Sequence, residues 1–231
     1  MTDAFDVMVV AAHPDDAEFG AAGTVAHWTA EGKRVVYLVC TRGEKGTGDL
    51  SVKPDDLARA REEEQRAAAR VLGVREVVFL GYPDQGLEDT PDFRKRLVRL
   101  IRTYRPEILM TSDPYRRYIW HRDHRIVGQV VLDAVFPYAR DHLAYPEMLE
   151  EGLHPHKVKE IWFWAAEDVN HRSDITETFE RKMAALRCHE SQMKQLDIAE
   201  LEKWLRERYR DMAKGTEFEL AEAFHRAIAP R

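Results

Sequence analysis

Short apolar runs alternate with longer amphipathic stretches along the chain, and the alternation predicts strands and helices in turn. Residues 6–12 read as a first strand, and residues 18–31 as a helix closed by Gly32. The run RVVYLVCT at 34–41 predicts a second buried strand, whose end opens into a glycine-rich loop at 42–49. That loop lacks the spacing of a phosphate-binding loop, and reads as a site wall or as plain surface. Pro54 and Asp55 start a long charged helix that runs to Leu72, with Gly73 as its stop. A third strand follows at 76–81, a helix at 91–104 and a fourth strand at 107–112. Repeated strand, polar loop and helix predict an α/β protein: a Rossmann-like, mostly parallel sheet with right-handed crossovers and helices on both faces.

Beyond Asp113 the pattern loosens. Residues 113–124 read as a polar-aromatic loop and 123–136 as a helix. Residues 137–157 carry Pro, His and Glu without a period and read as an irregular insertion. The run KVKEIWFWA at 157–165 predicts a further strand, and 176–188, 198–209 and 218–228 predict helices. No repeat or linker divides the chain, so one domain over 1–231 is expected.

Composition narrows the class. With 231 residues, 44% hydrophobic and 33% charged, the chain can fill a sizeable core. A net charge of −6, with Lys and Arg interleaved among Asp and Glu, argues against nucleic acid as a partner. No apolar run approaches the roughly 18 residues that span a bilayer, so no membrane role is expected. The short acidic start, residues 1–6, lacks the features of a signal peptide. Cys40 and Cys188 are far apart, which suggests reduced thiols and a cytoplasmic protein.

The chemistry concentrates where the first strand ends, in His13-Pro14-Asp15-Asp16-Ala17-Glu18. His13 and Asp16 are three apart, so one tight turn can point both at a single cation. Asp15 between them points elsewhere, free to act as a base. A plain turn with Asp15 or Asp16 capping the next helix is the other reading of the same residues. The second cluster, Trp120-His121-Arg122-Asp123-His124, follows the fourth strand and should lie on the same sheet edge. His124 is then a natural third ligand, although exposed loop histidines would look alike in isolation. Two His and one carboxylate leave a tetrahedral Zn²⁺ an open position for water. His121 can donate to a developing oxyanion or a leaving group, and Asp123 can orient either histidine.

These residues resemble the PIG-L (LmbE-like) family of zinc-dependent N-acetylglucosaminyl deacetylases. The likeness extends through Thr41-Arg42-Gly43-Glu44, Phe79-Leu80-Gly81-Tyr82-Pro83-Asp84, Asp174-Ile175-Thr176, Lys182 and His189-Glu190-Ser191-Gln192, from about Val7 to Gln192. The resemblance implies His13, Asp16 and His124 as zinc ligands, Asp15 as general base, and His121 as oxyanion stabiliser or amine acid tuned by Asp123. It also implies assembly into homo-oligomers, for which 137–157 can serve as interface or lid. One departure stands out, since Arg122 occupies a position where the family commonly has proline. Its charge can shift the neighbouring histidines or meet an anionic substrate, and Tyr118 beside Arg116-Arg117 is a second candidate for substrate selection. Arg61, Asp84 and Glu44 are candidate contacts to sugar hydroxyls, with a helix-surface ion pair to Glu62 or Glu64 as the plain alternative for Arg61. Tyr118 and Trp120 can stack on a sugar or pack the loop, His171 can join the site or stand exposed, and Trp162-Phe163-Trp164 reads as core.

The expected activity is removal of acetyl from a small acylated amino sugar of the N-acetylglucosamine type. The alternative is a hydrolase acting on another acylated amine, such as a mycothiol-like or bacillithiol-like thiol glycoside or an antibiotic precursor. Ligand type does not choose among Zn, Fe and Co. A nucleotide-binding module is disfavoured because no G-x-G-x-x-G follows the first strand. A silent binding protein is disfavoured because ligands and base are all present.

Overall fold

The computed structural model describes residues 4–230 apart from positions 119 and 195; the first three residues of the acidic start lie outside the described residues. Five strands run parallel: β1 (Val7–Ala11), β2 (Val35–Thr41), β3 (Glu76–Tyr82), β4 (Ile108–Ser112) and β5 (Glu160–Trp164). With β6 (His171–Asp174) and β7 (Ala221–Ile228) they form a seven-stranded sheet ordered β3-β2-β1-β4-β5-β7-β6. β7 is antiparallel to both β5 and β6. The order reverses between β1 and β4, and such a switch point opens a crevice at the carboxyl ends of the strands.

The main helices are α1 (Asp16–Ala30), α2 (Pro54–Leu72), α3 (Pro91–Tyr104) and α4 (Arg122–Asp133). They are followed by α5 (Glu147–Glu150), α6 (Phe179–Arg187), α7 (Glu190–Met193) and α8 (Ile198–Met212). Both faces of β1 are buried because successive side chains alternate sides. Met8 and Val10 pack with Leu97, Ile101, Val127 and Val131 of α3 and α4. Val7, Val9 and Ala11 pack with Ala21, Val25, Ala68 and Leu72 of α1 and α2. Among the described residues no helix is long and apolar enough to cross a membrane.

The structure corrects the sequence reading in two places. Residues 218–228 were expected as a helix, and most of that stretch is instead strand β7. Ala, Glu and Leu favour a helix locally, but Glu222 turns inward and is only 1% exposed. It accepts from the Gly23 and Thr24 amides at 2.9 and 2.8 Å and pairs with Lys182 Nζ at 2.7 Å, so tertiary partners override propensity. Strand β6 was not anticipated, because His-Arg-Ser-Asp is polar; among the described residues it pairs only with β7 at the sheet edge. Within 137–157 lie the short α5 and the end of a π-helical turn at Ala134–Ala139, and Arg102 explains how the irregular backbone around them is tolerated. Its buried guanidinium donates to the carbonyls of Tyr138, Asp141 and Ala144 at 3.1, 2.9 and 2.9 Å, supplying partners that regular structure would have given.

Candidate active site

The chain reverses sharply after β1. Asp15 adopts φ 81°, a left-handed conformation uncommon for a non-glycine residue. It occupies the N-cap position of α1, yet its side chain makes no cap bond. Asp16 folds back so that its Oδ2 accepts from the His13 amide at 2.8 Å. The second cluster arrives with α4, which packs close against the end of β4. Ser112 Oγ donates to the His124 carbonyl at 2.9 Å. A Cβ on Gly128 would stand 2.4 Å from the Ser112 carbonyl oxygen, so only glycine permits this approach.

Three donors therefore converge at the switch point. His13 Nδ1 lies 3.2 Å from His124 Nε2. Asp16 spans both, with Oδ1 3.1 Å from His124 Nε2 and Oδ2 3.4 Å from His13 Nδ1. Ligands about 2.0–2.1 Å from a tetrahedral ion stand about 3.3 Å from one another, so the spacing suits one Zn²⁺-sized cation. Donor atoms of two further groups, His13-His121-His124 and His13-Asp84-Asp123, also fall within 4.8 Å of one another. Their geometry gives them other tasks. Asp84 and Asp123 face the opposite ring nitrogen of His13, with oxygens 3.1 and 3.4 Å from Nε2. That leaves Nδ1 as the lone-pair side of the ring, the arrangement by which a carboxylate orients a metal-binding histidine. His13 Nε2 and His124 Nδ1 are both buried without an aligned hydrogen bond, but carboxylates face only the first of them among the described residues.

Asp123 thus faces His13 with its carboxylate, and its charge also acts on His121, favouring the protonated ring against the larger opposing effects there. Its oxygens also accept from the Gln85 and Leu87 amides at 2.7 and 3.3 Å, so the carboxylate is rigidly placed. His121 also receives a backbone bond from the same residue: the Asp123 amide donates to His121 Nδ1 at 3.1 Å. In a neutral ring the proton then sits on Nε2, making His121 a donor. Burial and the neighbouring His13 and His124 lower its pKa, favouring that neutral form.

The cage is electrostatically tuned for a cation. Burial opposes charge on His13, but the Asp123, Asp16 and Asp84 carboxylates overcome it and push its pKa up to about 12. Burial works against ionised Asp16 and Asp84 as well, yet His124 and His13 hold Asp16 well below the carboxylate range, and His13 with the Lys45 amide brings Asp84 down to about 2. Asp15 goes the other way, raised to about 6 by burial despite the opposing Arg61 charge. A carboxylate in that range suits a general base near neutral pH. Beside Asp16 and His124 a cavity of about 230 Å³ opens, walled by Phe19, Trp164, Leu205 and Met212 with Trp120 and Trp204.

The PIG-L family, described as GlcNAc-PI de-N-acetylase, matches residues 8–135, more than half of the chain. This chain belongs to the PIG-L family. The diacetylchitobiose deacetylase of Thermococcus kodakarensis is 36% identical over 199 residues, covering 86% of this chain and 74% of that one. The 1D-myo-inositol 2-acetamido-2-deoxy-alpha-D-glucopyranoside deacetylase of Mycobacteroides abscessus is 32% identical over 227 residues, 81% of each chain. The solved N,N'-diacetylchitobiose deacetylase from Pyrococcus horikoshii, complexed with an inhibitor, superposes with a TM-score of 0.90 at 30% identity, covering 98% of this chain and 85% of that chain.

Within this PIG-L fold the expected sugar contacts are placed unevenly. Arg61 is only 4% exposed. Its guanidinium donates to the Gly43 and Pro14 carbonyls at 2.9 and 2.6 Å and to Asp15 Oδ2 at 3.2 Å, so it braces the Asp15 turn. It forms neither the expected open contact surface nor the alternative pair with Glu62 or Glu64, which engage Arg42 and Ser191. Asp84 is 3% exposed and faces His13, accepting from the Lys45 amide at 2.9 Å. Glu44 accepts from the Asp84 amide at 2.8 Å and holds that loop. Arg122 bonds the Leu87 carbonyl on the site's rim, and Tyr118 stands 90% exposed. His171 packs on Trp162 at 4.3 Å, away from the cage, and Trp162, Phe163 and Trp164 are buried. Sequence reasoning missed Gln65, which sits in a run of charged helix residues with nothing to distinguish it.

Proposed function

We propose that the protein is a metal-dependent N-deacetylase that removes acetyl from an N-acetylglucosamine-type sugar or glycoside, releasing acetate and a free amine. The carrying observation is the triangle of His13 Nδ1, Asp16 and His124 Nε2, with edges of 3.1–3.4 Å, built beside Asp15. His13, Asp16 and His124 would hold Zn²⁺, with iron or cobalt as the other candidates for the same donors. When bound, such an ion supplies Lewis-acid polarisation of an amide carbonyl and acidifies water.

The chain's own residues supply the rest. Asp15 takes the proton of the attacking water, its carboxylate steadied by Arg61 at 3.2 Å. His121, with its proton on Nε2, donates to the oxygen that gains charge as the carbonyl becomes tetrahedral. The proton held by Asp15 then passes to the departing nitrogen. Asp84 and Asp123 keep the His13 ring in register throughout. Trp120 and Trp204 line the cavity and give it aromatic walls of the kind small-molecule sites use. The names of the relatives support an acetylated amino sugar as substrate class.

The test is zinc content and acetate release from N-acetylglucosamine and N,N'-diacetylchitobiose, wild type beside Asp15→Asn. The variant should keep its metal and lose about 10²–10⁴ in turnover. Wild-type turnover in the variant removes Asp15 as base, and failure of the wild type to take up zinc, iron or cobalt removes the metal mechanism.

A further inference from the structure

Behind Asp15 lies a buried polar chain that the proposed chemistry does not use. The Asp15 amide donates to Gln65 Oε1 at 3.0 Å. Gln65 Nε2 donates to Glu18 Oε1 at 2.9 Å, and Glu18 Oε2 faces His189 Nε2 at 3.2 Å. Gln65, Glu18 and His189 are all 0% exposed. The bonds set a polarity: the amide turns its oxygen to Asp15 and its nitrogen to Glu18, and His189 Nε2 presents a proton to Glu18 when that group is a carboxylate. His189 Nδ1 is left buried without a partner, a cost borne at one end of the chain. The segment carrying His189 is itself pinned down. Ser191 bonds Glu64 through its amide and hydroxyl at 2.7 Å each, and Gln192 Nε2 donates to the Gly46 carbonyl at 3.0 Å.

We propose that Gln65, Glu18 and His189 form a positioning relay that locks Asp15 in its left-handed turn, so that the start of α7 helps to set the aim of the base. A buried non-glycine residue at φ 81° carries a conformational cost that its surroundings must offset. Arg61 grips the Asp15 carboxylate, and Gln65 grips its backbone. The inference rests on the deacetylase reading for its kinetic consequence, but not for its structural one.

The experiment pairs Gln65→Leu, Gln65→Glu and the exchange Glu18→Gln/Gln65→Glu on the full-length, zinc-loaded chain. In the exchange, the new carboxylate accepts from Asp15 and from the new amide, whose oxygen accepts from His189, so each polarity is restored. Gln65→Leu should lower kcat about tenfold or more with KM and zinc content retained. Gln65→Glu sets two carboxylates against each other and should also fall, and the exchange should recover most of the loss. Hydrogen–deuterium exchange of the peptide spanning 9–20 reads the lock without any turnover. Exchange should quicken about tenfold in Gln65→Leu and in His189→Ala, whose bond is to Glu18. Unchanged exchange in both variants overturns the relay, as does an exchange variant no better than Gln65→Glu. A wild type inactive on every acetylated sugar, with exchange responding as described, overturns the deacetylase reading and leaves the lock standing.

Discussion

Removing the charge on Asp123 isolates what the carboxylates around His13 do. Asp123 is fully buried, with Oδ2 3.4 Å from His13 Nε2 and two backbone amides fixing it. Asp123→Asn keeps the shape and one acceptor oxygen but loses the anion that favours a proton on Nε2 and a free lone pair on Nδ1. Removing a carboxylate that orients a metal-binding histidine costs about 10–100-fold in metal affinity. Here a second carboxylate, Asp84, remains 3.1 Å from the same nitrogen. The single variant should therefore fall at the low end, about tenfold or ~1.4 kcal/mol. With Asp84→Asn added, no anion faces Nε2 and the loss should approach about 100-fold. Competition of zinc against a chelator of known affinity, at fixed pH and with folding checked by circular dichroism, measures both. Wild-type affinity in Asp123→Asn, or a double variant no weaker than the single, would refute the assignment of these carboxylates to His13.

Two further outcomes follow from groups away from the cage. Lys182→Met strands the buried Glu222 and frees the Glu18 and Phe19 carbonyls, which Lys182 Nζ meets at 2.8 and 2.9 Å. The loss should be roughly 3–5 kcal/mol, or roughly 6–20 °C in Tm; a melt within 1 °C of wild type would show that Glu222 needs no counter-charge. His156, whose Nε2 donates to the Pro106 carbonyl at 2.7 Å, has its pKa lowered from 6.5 by burial. The unfolded chain then binds a proton that the folded chain resists, so stability falls as pH drops below 6.5. His156→Gln keeps a donor but cannot titrate, so denaturant titrations between pH 7 and 5 should show a shallower slope; an unchanged slope would remove His156 from the acid limb.

The relatives and the geometry meet at the α/β frame, yet different kinds of signal carried each part of it. Strands β1, β2 and β4 were legible because burial on both faces demands unbroken apolar runs, and few other structures present them. His13, Asp16 and His124 were legible for a related reason. Strand ends on one edge of a parallel sheet share a crevice, so His13 and His124, 111 positions apart, could be joined on topology. Strand β7 was not legible, since its residues favour a helix locally and only pairing with β5 and β6 outweighs that.

The sequence by itself determined the elements whose periodicity is set by local burial, and the residue types able to ligate a cation. Tertiary structure alone decided which nitrogen of His13 faces which carboxylate, and that Asp123 serves His13. It also decided that Arg61 braces the base instead of facing the cavity, and that Gln65, Glu18 and His189 line up behind Asp15. The reason is physical. Apolar patterning repeats along the chain and survives in one dimension, whereas a hydrogen bond depends on a distance and direction between residues far apart in sequence. Those are fixed only once the helices have packed.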